Sequence, residues 1–69
     1  MTDRETILGL RVLVTNAAAQ IQRLHDEMTL GVASQKQAEI AQKACEVASM
    51  ALTEAAPTLR KLARKPVTS

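Results

Sequence analysis

The sequence predicts an all-α protein: an antiparallel two-helix hairpin that pairs with a second copy into a homodimeric four-helix bundle. Three observations carry that reading. Phe, Tyr and Trp are absent and only two glycines and two prolines occur, whereas strands draw on aromatic and β-branched residues with frequent turn punctuation. Alanine, at twelve positions, stands beside Leu, Gln, Glu, Lys and Arg, all good helix formers. Two capping signals, separated by a glycine turn, mark two helix starts.

The first helix is expected over about residues 3–29. Thr2 followed by Glu5 is a capping box, in which the hydroxyl accepts from the Glu5 amide. Asp3 and Glu5 add negative charge at the positive end of the helix dipole. Ile7, Leu10, Val14, Ala17, Ile21, Leu24 and Met28 then recur at alternating spacings of three and four, a narrow a/d seam.

A turn over residues 30–34 follows, with Gly31 as the left-handed cap. Ser34 and Gln37 form the second capping box, so helix two starts near Gln35. A connection this short makes the helices antiparallel. It sets Leu24 opposite Ile40, Ala17 opposite Val47 and Val14 opposite Met50.

Helix two is expected over about 35–56, with a kink or break at Pro57, which cannot donate a backbone hydrogen bond and whose ring crowds the preceding turn. A terminal helical stretch over 58–64 completes the domain, and residues 65–69 are expected as a flexible tail.

Helix two carries two apolar stripes, rotated by about 100°, one residue along a 3.6-residue turn. Ile40, Ala44, Val47 and Ala51 are expected to answer helix one. Ala41, Cys45, Ala48, Leu52 and Ala55 have no partner in such a hairpin and are expected to form the dimer seam. A third apolar group is Leu8, Val12, Leu59 and Leu62, edged by Arg60, Lys61 and Arg64, which is expected to take a partner protein.

Size supports a dimer. A chain of 69 residues buries only about 60% of its unfolded surface, so it needs disulfides, a metal or oligomerisation. One cysteine, Cys45, excludes an internal disulfide, and Cys45 with His25 falls short of the four ligands a structural zinc site wants.

No catalytic constellation, phosphate loop or metal spacing is present, so no catalytic, cofactor-binding or metal residue and no small-molecule substrate is expected. His25 and the neighbouring Asp26 and Glu27 point in different directions on a helix. Cys45 sits among alanines, where a thiol packs as a small apolar group.

The longest uncharged stretch, Val12 to Gln22, is eleven residues, against roughly 20 for a membrane span. Asp3, Arg4 and Glu5 do not make a signal peptide, and a free thiol suits a reducing cytoplasm. "TLRKLARK" is amphipathic but only about two turns long and has no aromatic anchor, so membrane association is not expected.

The net charge of +2 conceals an asymmetry: residues 1–54 hold five basic and seven acidic side chains, and residues 55–69 hold Arg60, Lys61, Arg64 and Lys65 with no acid. That cluster makes a nucleic-acid-binding dimer the alternative. The acidic remainder and the lack of aromatic stacking platforms weigh against it.

With its length, its two-helix plan and the "TLGVAS" turn, the chain resembles two groups of small proteins. One is the repressor-of-primer type, an RNA-binding antiparallel four-helix dimer. The other is the small phage-encoded helical hairpins that act as anti-activators of quorum sensing by gripping a host transcription regulator. The second resemblance implies a cytoplasmic, non-enzymatic homodimer that inhibits or modulates a host or cognate protein.

Overall fold

The computed structural model describes residues 2–64, all-helical apart from Thr2 and the turn, with no strand. Residues 65–69, where the sequence places a tail, lie outside the described residues.

Helix α1 spans Asp3–Leu30. The Glu5 amide donates to Thr2 Oγ1 at 3.2 Å, which supplies one of the partners that the first-turn amides lack. The helix ends on Gly31 at φ 74°, a left-handed conformation that a Cβ would strain. Gly31 N–H donates to the Met28 carbonyl at 3.1 Å and Val32 N–H to the Glu27 carbonyl at 2.8 Å. This is the Schellman pattern.

Helix α2 spans Gln35–Arg64. Its start is held by the Gln37 amide donating to Ser34 Oγ at 3.1 Å. Pro57 lies inside α2, so of the expected kink or break the break gives way to one continuous helix. Pro57 is exposed, while Ala55 before it is buried and Thr58 and Leu62 beyond it are half-buried. Packing on both sides of the proline holds the helix together despite the missing N–H.

The two helices form an elongated rod of 48 × 19 × 16 Å. Its radius of gyration is 15.4 Å, against about 11 Å for a compact domain of this length.

The seam between the helices is built from small residues. Ala17 of α1 and Ala41, Ala48 and Ala55 of α2 are buried, and Ala55 is only 2% exposed. Leu10, Leu13 and Leu24, with Ala44, Ala51 and Leu62, are half-buried around them. This corrects the expected seam in part, since Leu10, Ala17 and Leu24 of α1 and Ala44 and Ala51 of α2 keep their inward places. Val14 and Ile21 are exposed, and Leu13 and Gln20 take the inward positions one residue earlier. Ile40 and Val47 are exposed as well, and Ala41, Ala48 and Ala55 of the stripe expected to await a second copy close the hairpin instead, while its Cys45 is half-buried and its Leu52 exposed. Alanines let two backbones approach to the short end of the usual 8–10 Å range, which leaves no room between them for a facing row of Val and Ile.

One side-chain pairing departs from the turn-centred register, which Lys61 and Asp3 keep at the open end. Gln37 Nε2 donates to the Gln20 carbonyl at 3.1 Å and to Gln20 Oε1 at 3.0 Å, where the turn-centred register places Glu27 opposite Gln37. Val32 to Ser34 form the non-helical link between α1 and α2. Near the turn Met28, Leu30 and Val32 are exposed.

Candidate functional site

Packing by alanine leaves the large apolar side chains outside. Among the described residues twelve of them are exposed: Leu8, Val12, Val14, Ile21, Met28, Leu30, Val32, Ile40, Val47, Met50, Leu52 and Leu59. Single exposed apolar residues are ordinary, but a contiguous patch on a small chain marks a site of interaction. Helical geometry sorts most of these residues onto three surfaces.

One flank of the hairpin carries Ile7, Val14, Ile21 and Met28 from α1 beside Ala38, Cys45, Leu52 and Leu59 from α2. Each set is spaced by seven residues, so each makes a continuous row along its helix. Cys45 and Ile7 are half-buried and the larger side chains after them in each row are exposed. The outer edge of α2 on this flank is Gln42, Ser49, Ala56 and Ala63, which carry no charge.

The opposite flank is mixed. Leu13, Ile40, Ala44 and Val47 line a shallow groove with Asn16 and Lys43. Further along the rod, Leu10, Ala51 and Ala55 line a second groove edged by Glu5 and Glu54. Charges therefore interrupt the apolar surface on this side.

The third surface is the outer face of α1. Leu8 and Val12, the latter 58% exposed, line a groove with Arg11, Thr15, Asn16 and Ala19, all from that one helix. The expected partner surface is thus divided. Leu8 and Val12 stand on this face, Leu59 belongs to the uncharged flank, and Leu62 turns half-buried into the hairpin seam.

The basic cluster is divided too. Lys61 Nζ lies 2.7 Å from Asp3 Oδ2 and ties the end of α2 to the start of α1, while Arg60 and Arg64 are exposed. Both partners of the ion pair are largely solvated, so it is worth at most about 1 kcal/mol.

Protein families, curated proteins and solved structures were compared with the chain, and none matches it.

Among the described residues, no three His, Cys, Asp or Glu side chains come together as a metal site would require. His25 is exposed, 3.9 Å from an equally exposed Asp26. No helix of the described residues is long and apolar enough to cross a membrane.

Sequence reasoning missed one residue that organises the seam. Gln37 is the one buried polar side chain among the described residues, and it belongs to a ladder of amides in which Gln20 Nε2 also donates to Asn16 Oδ1 at 3.4 Å. Read as half of a capping box, Gln37 was expected to reach back to the turn. Its side chain crosses to α1 instead. A buried amide on an otherwise apolar seam specifies register, since any slip strands it without partners. Gln37→Ala is therefore expected to lower the unfolding free energy by about 1–2 kcal/mol, two hydrogen bonds with a neutral partner. A double-mutant cycle with Gln20→Ala, read by urea denaturation, should return a coupling of at least about 0.5 kcal/mol. Additivity would show that the amides merely coexist.

Proposed function

We propose that the hairpin is a non-enzymatic protein-binding module that works as a homodimer and binds a partner protein, inhibiting or modulating it. A transcription regulator of a host cell is the partner class that the resemblance to phage anti-activators implies. The observation that carries this reading is the inversion of its packing: among the described residues, small side chains are inside and twelve large apolar ones outside. A chain that spends alanine on its own seam keeps Leu, Ile, Val and Met for contacts with other molecules. Apolar surface divided by charged edges suits a protein partner, because interface cores are apolar and their rims polar.

The test is capture from the native host with a tagged chain, followed by affinity measurement on the purified partner. Val12→Asp is expected to weaken that affinity at least tenfold while helix content is unchanged, since a charge forced into an interface core stays uncompensated. The competing outcome is nucleic acid. Binding would then fall by about a thousandfold between 50 and 200 mM salt if six or more phosphates are neutralised, and would vanish when Arg60 and Arg64 become glutamine. A salt-insensitive affinity lost in Val12→Asp supports protein capture, and a salt-steep affinity indifferent to Val12 overturns it.

A further inference from the structure

We infer that the uncharged flank, the rows of Ile7, Val14, Ile21 and Met28 beside Cys45, Leu52 and Leu59, is covered by a second copy of this chain. This deepens the proposed function by assigning its dimer to one surface, and it leaves the outer face of α1 for the partner protein.

Three observations converge on that occupant. The first is periodicity. Each row repeats every seven residues, the spacing that keeps a helix in continuous contact with a neighbouring helix. A globular partner would not require the repeat to persist over four successive positions on both helices.

The second is charge. Homodimer cores are depleted of charged residues. On this flank α2 presents only Ala, Gln, Cys, Ser and Leu, whereas the opposite flank places Lys43, Glu5 and Glu54 at its grooves. The charges of the uncharged flank lie at its α1 edge, on Arg4 and Arg11, in the place of an interface rim.

The third is area. One chain exposes 5682 Å², whereas a compact protein of its 7.4 kDa exposes about 4200 Å². One long face of the rod, 48 Å by 19 Å, offers roughly 900 Å² per copy, so two such faces together bury about 1800 Å², the size of a stable specific interface. A symmetric pairing puts the same flank of both copies face to face, a closed arrangement in which that flank is used up.

The experiment is sedimentation equilibrium on the full chain at micromolar concentration. The expected species is a dimer, abolished by Val14→Glu with Leu52→Glu and retained by Ile40→Glu with Val47→Glu. Without any substitution, Cys45 reports on the same surface: its alkylation by a bulky maleimide should slow severalfold as protein concentration rises through the dissociation constant. If the Val14 and Leu52 variant fails to fold, the wild-type chain decides the matter. Its melting temperature should climb with concentration and its Cys45 labelling should slow in step. A wild-type monomer with a concentration-independent melting temperature sinks dimerisation itself and leaves partner capture standing. A dimer lost in the Ile40 and Val47 variant, with Cys45 labelling indifferent to concentration, sinks only this choice of surface.

Discussion

Pro57→Ala is expected to stabilise the protein by about 2 kcal/mol. A proline in a helix interior costs about 3 kcal/mol relative to alanine, through the lost hydrogen bond and the clash of its ring with the preceding turn. Rigidity of the unfolded chain returns up to about 1 kcal/mol of that. Pro57 is exposed inside the continuous α2, so its replacement removes no packing and restores a donor for the Thr53 carbonyl. At a fixed protein concentration the melting temperature should rise by roughly 8–16 °C. A fall would mean that α2 needs the bend of a proline to lay Thr58 and Leu62 against α1.

Ala48→Leu should act in the other direction and destabilise by about 1–3 kcal/mol, the cost of forcing extra methylenes into a filled interior. Ala48 is 5% exposed at the middle of the seam, where its small side chain sets how closely the helices approach. The informative control is the residue beside it. Val47 is 48% exposed on the charged flank, so Val47→Ala should change stability by less than about 0.5 kcal/mol. Thermal denaturation followed by circular dichroism at equal concentration reads both. The reverse pattern, a costly Val47→Ala and a tolerated Ala48→Leu, would restore the assignment in which Ile40 and Val47 close the hairpin.

That pair of neighbours shows where sequence reasoning stops. Both stripes of α2 obey helical spacing, and so do both candidate rows of α1, Val14 and Ile21 against Leu13 and Gln20. Larger side chains look like the better core when each helix is weighed alone. The choice depends on how closely two backbones can approach, a property of both helices together. In the structure alanine lines the seam and the bulkier row lies at the surface. Of the candidate surfaces, the exposure of Leu8, Val12, Leu52 and Leu59 could be anticipated, because they lie off the main seam of their helices. Their separation onto different faces could not.

Gln37 repeats the point at the level of a single side chain. Its backbone does what the capping signal implies, because that bond spans three residues and needs nothing beyond the turn. Its side chain bonds to Gln20, seventeen positions away, and that pairing depends on the path of the turn.

What the sequence by itself determined is whatever is settled within a turn or two of helix. That includes two helices, their caps at Thr2 and Ser34, the Gly31 stop and the antiparallel hairpin. What only the tertiary structure decided is rotation and pairing: alanine inward, Val and Ile outward, the Gln37 side chain on Gln20. A helix rotated by one residue satisfies the same local hydrogen bonds, so nothing local selects between the alternatives. Packing between helices selects, and it places on the surface the apolar rows assigned here to other molecules.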